Sequence, residues 1–456
     1  MRCIGLVRGV ACGLALALTV SVAAAAVKLP AVIGDNMVLQ RGQTLPIWGW
    51  AEKGEEVTVR LAGQSVSAKA DNTGRWKVSL AKLEAGGPLD MTVQAASGSR
   101  TVKNILVGEV WVCSGQSNME MGIAMAANGK EEIAAANYPK IRLFTVPKMQ
   151  ANEPAPDVQA SWLACDPHTI AQGGWGGFSA ASYYFGRTLH RELNVPVGLI
   201  HTSWGGTPAE VWTSRKALEA VPELKSLVGG DSSKQYNAMI APLIPFAIRG
   251  AIWYQGESNV SRAMQYRTLF PTMIRSWRAA WGQGDFPFLF VQIAPFQYDC
   301  QGLWEAQLLT LKNVPNTGMV VTTDIGDVRD IHPKNKQEVG RRLALWALAK
   351  TYGRDVPNSG PIYKAMKIEG SKIRLTFDYG TGMKASDGKP LNYFSIAGAD
   401  HIFHPAQVQV DGDTLLVSSP EVAKPEAVRF GHQAQAPPNL VNQAGLPASP
   451  FRTDTW

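Results

Sequence analysis

Residues 105–113, Ile-Leu-Val-Gly-Glu-Val-Trp-Val-Cys, form an almost uninterrupted apolar run, and Ser-Gly-Gln-Ser-Asn-Met follows directly at positions 114–119. A strand that is buried on both faces of a parallel sheet has this composition. Parallel sheets bind their ligands at the carboxyl ends of their strands. The stretch therefore predicts an α/β fold, and it also predicts where the functional groups lie.

Strand-like and helix-like patterns alternate after this first run. The further predicted strands are residues 141–146, 195–202, 250–254, 286–293 and 318–323. Apolar residues recur every four positions in one intervening segment, at Ala181, Phe185, Leu189 and Leu193, and share one face in another, at Val339, Leu343, Trp346 and Ala347. Such periodicity is typical of amphipathic helices. The alternation predicts a mostly parallel sheet that helices cover on both sides.

Two regions outside this pattern resemble short antiparallel strands. Residues 27–104 alternate apolar and polar positions between turn signals such as Asp71-Asn-Thr-Gly74, which favours a small β-sandwich. Alternation returns after Gly353, so residues 354–456 are expected to form a second β-rich unit and tail. The α/β unit between them is then expected to span residues 105–353.

The first 26 residues have the pattern of a secretory signal peptide. Arg2 and Arg8 precede an apolar run at 10–22, which ends in four alanines at 23–26. Cleavage near Ala26 would make the mature protein periplasmic or secreted, without a membrane span. Loss of the two arginines lowers the formal net charge from +7 to +5. The sequence has no run of lysines and arginines of the kind that binds a phosphate backbone, so nucleic acid is not an expected partner.

The mature chain would keep three widely spaced cysteines, Cys113, Cys165 and Cys300. An odd number at such spacing is no disulfide framework, although one pair could form in an oxidising compartment. No zinc-ligand spacing is present, and His401 with His404 lacks a further ligand cluster nearby. We therefore expect no metal site.

Polar, glycine-containing loops follow four of the predicted strands. These loops are residues 114–119, 203–207, 255–259 and the segment that carries Asp324, Asp327, Asp330 and His332. The carboxyl ends of parallel strands meet at one edge of a sheet, so the four loops are expected to lie together.

Nucleophilic catalysis by serine needs a base to accept the hydroxyl proton and a third group to hold that base. Ser117 fits the nucleophile, although a helix N-cap explains a serine at such a turn equally well. His332 fits the base, with a capping or surface histidine as the alternative. Asp330 is the first candidate for the orienting carboxylate, and Asp327 and Asp324 remain open as rivals.

Acyl transfer also needs donors for the developing oxyanion. The backbone N–H groups of Ser117 and Gly206 and the side-chain amide of Gln255 are the candidates. Glu257 is interpreted either as a glycosidase carboxylate or, preferably, as a buried brace for the neighbouring loops. Together with Glu257, three further residues are expected to support the reacting groups from behind: Gln116, Asn118 and Asn259.

Six blocks of the sequence resemble the sialate O-acetylesterase family, within the wider SGNH hydrolase superfamily. They are Gly34-Asp-Asn-Met-Val-Leu-Gln40, the 12 residues from Gly108 to Met119, Gly205-Gly-Thr-Pro-Ala-Glu210, Tyr236-Asn-Ala-Met-Ile-Ala-Pro-Leu243, Trp253-Tyr-Gln-Gly-Glu-Ser-Asn259 and His332-Pro-Lys-Asn-Lys-Gln-Glu-Val-Gly340. The resemblance implies a flavodoxin-like α/β/α sandwich, a Ser-His-Asp triad and acetyl ester hydrolysis without a cofactor. By position, it implies Ser117 as nucleophile, His332 as base, and Gly206 and Gln255 in the oxyanion hole.

One departure from the superfamily pattern concerns the aspartate. The usual position, three residues before the histidine, is Arg329 here, and Asp330 stands two residues before. The substrate also stays open between O-acetylated sialic acid and acetylated hemicellulose such as xylan or xyloglucan. Two other classes are a glycosidase that uses Glu257 and a non-catalytic carbohydrate-binding protein on a hydrolase scaffold.

Overall fold

The computed structural model describes residues 1–2, 27–297, 299–433 and 437–456. The predicted signal peptide lies outside the described residues except for its first two. Within the described ranges, no helix is both long enough and apolar enough to cross a membrane.

The strands and α-helices are numbered here in chain order. The strands are β1 (Val38–Gln40), β2 (Leu45–Trp50), β3 (Glu56–Leu61), β4 (Gln64–Lys69), β5 (Arg75–Leu80), β6 (Gly86–Ala95), β7 (Gly98–Gly115), β8 (Tyr138–Thr145), β9 (Trp162–Cys165), β10 (Val197–Ser203), β11 (Gly250–Tyr254), β12 (Phe288–Val291), β13 (Thr317–Val320), β14 (Ile362–Glu369), β15 (Lys372–Asp378), β16 (Lys384–Ala385), β17 (Phe394–Ala397), β18 (His404–Pro405), β19 (Gln407–Asp411), β20 (Thr414–Ser418), β21 (Ala427–Phe430), β22 (Leu440–Val441) and β23 (Phe451–Arg452). The α-helices are α1 (Ser117–Glu120), α2 (Gly129–Ala134), α3 (Ala180–Leu193), α4 (Arg215–Ala220), α5 (Ala263–Trp281), α6 (Gln301–Asn313) and α7 (Lys336–Trp346).

A central sheet with the strand order β13-β12-β11-β7-β10-β8-β9 organises the molecule. Every neighbouring pair is parallel except β8 and β9, which run antiparallel at one edge. The predicted α/β class with a mostly parallel sheet is therefore confirmed. The order differs in one place from that of flavodoxin-like sheets, because β10 lies between β7 and β8.

The side chains of this sheet alternate between two buried layers. On β11, Ala251 and Trp253 belong to one apolar cluster, which also contains buried residues of α5 and α6. Ile252 and Tyr254 belong to the other cluster, together with α3 and α7. Successive residues of a strand point to opposite faces, so helices cover both sides of the sheet. This arrangement confirms the predicted α/β/α layering.

Strand β7 joins the central sheet to the N-terminal β-rich region. Its first half pairs with β6 in antiparallel fashion, and its second half lies between β10 and β11. The boundary expected between residues 104 and 105 therefore falls inside one continuous strand. After residue 354, the described chain forms strands, chiefly two four-stranded sheets with the orders β14-β15-β20-β19 and β18-β17-β21-β23.

Candidate active site

Three of the predicted loops meet because their strands end in register. Ser203 and Tyr254, the last residues of β10 and β11, both pair with Gly115 at the end of β7. Gly115 has φ +143°, and a Cβ there would lie 2.1 Å from the carbonyl oxygen of Tyr254. Only glycine permits this close approach of two backbones. The strand ends thus deliver the loops after β7, β10 and β11 to one edge of the sheet.

Ser117 and His332 are in direct contact at this edge. Oγ of Ser117 lies 2.9 Å from Nε2 of His332, which is hydrogen-bond distance. Ser117 is the first residue of α1, and Gln116 occupies the N-cap position without a side-chain capping bond. The alternative interpretation of Ser117 as a helix cap is therefore wrong.

Asp330 is the nearest of the three candidate carboxylates to the histidine ring. Its Oδ1 lies 3.7 Å from Nδ1 of His332 and accepts the backbone N–H of the same residue at 2.9 Å. The rivals have other partners: Asp324 binds Arg342 through both oxygens, and Asp327 accepts the backbone N–H of Arg329. The geometry thus favours Asp330 over Asp324 and Asp327.

The surroundings of His332 favour its neutral form. Its ring packs edge-on against Trp175 with centroids 4.8 Å apart, and about a quarter (26%) of its side chain is exposed. Burial lowers the pKa of His332, and the positive charge of Lys336 lowers it further, against the opposing effect of Asp330. A neutral imidazole is the form that accepts a proton from a hydroxyl group.

Two of the predicted oxyanion donors are backbone N–H groups without a protein acceptor among the described residues. Within the described residues, the N–H groups of Ser117 and Gly206 have no hydrogen-bond partner. At Ser117 this follows from its place in the first turn of a helix, where N–H groups lack an intrahelical acceptor. The neighbouring N–H of Gly205 is donated to Oε2 of Glu120 at 2.7 Å, which fixes the loop that carries Gly206.

The structure corrects the expectation for Gln255. Its side chain is fully buried, and its amide nitrogen donates to Oδ1 of Asn259 at 2.6 Å and to the carbonyl oxygen of Thr207 at 3.3 Å. Its Oε1 accepts a hydrogen bond from the hydroxyl group of Tyr266. Both amide protons are therefore engaged, and Gln255 holds the loops together from behind instead of facing a substrate.

Gln116 and Asn259 also connect the loops. Oε1 of Gln116 accepts the backbone N–H groups of Gly256 and Ser258, at 3.4 and 3.2 Å. Oδ1 of Asn259 accepts the N–H of Ala209 at 2.9 Å. These bonds link the loops after β7, β10 and β11 through buried amide groups.

Asn118, Glu257 and Lys336 form a further buried network. Nδ2 of Asn118 donates to Oε1 of Glu257 at 2.6 Å, and its Oδ1 accepts from Nζ of Lys336 at 2.5 Å. Burial raises the pKa of Glu257. Sequence reasoning missed Lys336 altogether, because a lysine in the first turn of a predicted helix is normally a solvated surface residue.

The contacting pair opens onto a cavity of about 840 Å³. Its lining consists of Gln116, Ser117, Gly205, Gly206, Glu257, Ser258, Val260, Ser261, Asp299, Ile331 and His332. Across the described ranges, no group of three or more histidine, cysteine or acidic residues is arranged to hold a metal ion. His404 pairs with Glu421, and His401 stacks on Trp456. Among the described residues, Cys113, Cys165 and Cys300 are free and buried.

Comparisons with known proteins agree on one family. The family model for carbohydrate esterases of the sialic acid-specific acetylesterase type matches residues 107–349. The sialate O-acetylesterase of Rattus norvegicus is 31% identical over 84% of this chain and 85% of its own length. The human sialate O-acetylesterase is 34% identical over 76% of this chain and 75% of its own length.

A solved structure resembles most of the chain. It is the crystal structure of a carbohydrate acetylesterase from Xanthomonas citri, 40% identical to this chain. The match covers 94% of this chain and 100% of the other, with a TM-score of 0.87. The chain therefore belongs to the sialic acid-specific acetylesterase family of carbohydrate esterases, and it is a carboxylic ester hydrolase.

Proposed function

We propose that the protein removes O-acetyl groups from carbohydrates, with Ser117 as nucleophile, His332 as general base and Asp330 as the orienting carboxylate. The observation that carries this proposal is the 2.9 Å contact between Oγ of Ser117 and Nε2 of His332 at the wall of an open cavity. The same cavity wall includes Gly206, whose N–H has no acceptor within the described residues.

In the first half-reaction, Oγ of Ser117 attacks the acetyl carbonyl carbon while Nε2 of His332 takes the hydroxyl proton. The carbonyl oxygen becomes an oxyanion, and the N–H groups of Ser117 and Gly206 donate to it. As the tetrahedral intermediate collapses, His332 returns the proton to the departing sugar oxygen. The sugar leaves with a free hydroxyl group, and the acetyl group stays on Ser117.

In the second half-reaction, a water molecule takes the place of the sugar. His332 removes one of its protons, and the resulting hydroxide attacks the acetyl-enzyme carbonyl carbon. The same two N–H groups stabilise the second oxyanion. Collapse then breaks the bond to Oγ of Ser117, His332 returns the proton to Oγ, and acetic acid is released, which ionises to acetate in solution.

The substrate proposal rests on the relatives. Two of them are named sialate O-acetylesterases, and the similar solved structure is that of a carbohydrate acetylesterase. We propose an O-acetylated sugar as substrate, with sialic acid and hemicellulose fragments as the two candidates. Acetate release from O-acetylated sialic acid, compared with release from acetylated xylan or xyloglucan fragments, decides between them.

The decisive test compares two serine variants. Ser117→Ala is expected to lower kcat by at least about four orders of magnitude, because nothing else supplies the nucleophile. Ser203→Ala is the matched control, because Ser203 also contacts a histidine, with its Oγ 2.6 Å from Nε2 of His201. That pair is buried, and neither residue is among those that line the cavity. Retained acetate release by Ser117→Ala, in a folded protein, contradicts the proposal.

We also propose that the protein is exported and cleaved near Ala26, because residues 1–26 have the composition of a signal peptide. The N-terminal sequence of the protein recovered from periplasm and medium tests this. A mature chain that still starts at Met1 contradicts it.

A further inference from the structure

Lys336 is a buried charge in an unfavourable place. Its side chain is fully buried, and it is the first residue of α7. The N-terminus of a helix carries a partial positive charge, so a lysine there is repelled as well as desolvated. Burial lowers the pKa of Lys336 to about 7, although the charges of Glu257 and Asp330 oppose that shift. Apolar packing by itself does not call for a charged group at this position, so packing alone does not explain the lysine.

The contacts of Lys336 lead to both reacting groups. Its Nζ donates to Oδ1 of Asn118, and Asn118 directly follows Ser117 in the chain. Nδ2 of Asn118 donates in turn to the carbonyl oxygen of Ile331 at 2.9 Å, and Ile331 directly precedes His332. One lysine thus supports, through one asparagine, the loops that carry the serine and the histidine.

The charge of Lys336 also acts on His332. Two charged groups act on this ring: Asp330, on the same loop, favours the protonated form, and Lys336, on α7, disfavours it. The uncharged neighbours are the hydroxyl group of Ser117 and the edge-packed Trp175. Lys336 in turn faces Glu257, Asp330 and the ring of Tyr254, whose centroid is 5.0 Å from Nζ. Lys336 therefore opposes Asp330 at the histidine.

We propose that Lys336 is a positioning residue for the reaction proposed above: through Asn118 it fixes the serine and histidine loops, and it places a positive charge two hydrogen bonds away from the backbone that precedes His332. This inference rests on the proposed function. The charge of Lys336 matters most in mildly acidic solution, where an ordinary histidine becomes protonated.

Three substitutions at this position separate the hydrogen bond from the charge. Lys336→Gln keeps a donor for Asn118 without the charge, Lys336→Arg keeps the charge, and Lys336→Met removes both. The measurement is kcat/KM for acetate release as a function of pH, since its acid limb reports the base of the free enzyme. We expect the acid limb of the Gln and Met variants to move to higher pH. At about pH 5.5 the Gln variant should then lose roughly three- to tenfold more activity than at about pH 8.

The Arg variant should keep the acid limb of the wild type. If its larger side chain prevents folding, the smaller Gln variant still decides the question. The Met variant should also have a lower Tm, because it leaves the Glu257 carboxylate without its opposite charge. In the double variant Lys336→Met with Glu257→Gln, the Tm should be restored while the acid limb stays displaced. If the role of Lys336 were purely structural, the acid limb would return together with the Tm.

An acid limb of Lys336→Gln that coincides with that of the wild type overturns the proposal. So does a double variant in which the acid limb returns together with the Tm. Failure of the proposed function has a different signature, which is full acetate release by Ser117→Ala under the same conditions.

Discussion

Both carboxylate oxygens of Asp324 accept hydrogen bonds from the guanidinium group of Arg342, at 2.7 and 2.6 Å. Arg342 lies on α7, the helix that follows the histidine loop, and only 7% of its side chain is exposed. This ion pair ties the start of the loop to the helix behind it. Asp324 therefore has a structural partner of its own. Substitutions of Asp324 and Asp330 can then be compared, to distinguish an effect on stability from an effect on catalysis.

Asp330→Asn is expected to lower kcat by about ten- to a hundredfold, because the carboxylate no longer stabilises the imidazolium that forms on His332. The loss should be smaller than for Ser117→Ala, since 3.7 Å between Oδ1 and Nδ1 exceeds hydrogen-bond distance. Asp324→Asn is the control. It should leave kcat close to that of the wild type and lower the free energy of unfolding by about 1–2 kcal/mol. Steady-state kinetics and urea unfolding of both variants test this pair, and a larger kcat loss in Asp324→Asn contradicts it.

The pH profile of the wild type follows from the surroundings of His332. Burial first, and Lys336 second, lower the pKa of His332 below its ordinary value of 6.5. The neutral base therefore persists to lower pH than for a free histidine. We expect the acid limb of kcat/KM to have its midpoint below pH 6.5, measured on an uncharged acetyl ester so that the substrate does not titrate. A midpoint above pH 6.5 contradicts the expectation.

His201, which does not line the cavity, contributes to the dependence of folding stability on pH. Burial, and then Lys148, lower the pKa of His201 to about 4. In the unfolded chain this group takes up a proton below about pH 6.5, whereas in the folded protein it stays neutral down to about pH 4. Folding stability is thus fully present above pH 6.5 and is lost as the pH falls toward 4, by up to about 3 kcal/mol from this residue. Urea unfolding at about pH 7 and pH 5 should show that His201→Gln weakens this dependence.

A buried charge cluster outside the site should make a large contribution to the free energy of unfolding. The fully buried carboxylate of Glu109 binds Nε of Arg41 at 2.5 Å and Nε of Arg249 at 2.7 Å. Glu109→Ala leaves two arginines without their partner and is expected to cost about 3–5 kcal/mol of unfolding free energy.

The matched control for Glu109→Ala is Glu219→Ala, which removes an exposed ion pair with Arg215. That change should cost less than about 1 kcal/mol. Denaturant titration of both variants measures the difference, and equal costs would contradict the importance of burial.

Local pattern was sufficient for much of the fold. The apolar run predicted at 250–254 has the same bounds as β11, and the four-residue periodicity from Ala181 falls within α3. Strand β9 was missed, because four residues that pair antiparallel at a sheet edge leave little periodicity to detect. The predicted boundary between residues 104 and 105 falls inside β7, because this one strand pairs with two different regions along its length.

The amino-acid sequence by itself determined the α/β class and the loops that meet at the sheet edge. It also identified Ser117 and His332 as a candidate pair. These results follow from strand periodicity and from the residue types at strand ends. Only the tertiary structure placed Asp330, and not Asp324 or Asp327, beside the ring of His332. It also turned Gln255 away from the cavity and buried Lys336. Side-chain direction and burial depend on contacts between segments far apart in the chain, such as the 215 positions that separate Ser117 from His332. The residues next to each position in the sequence do not reveal those contacts.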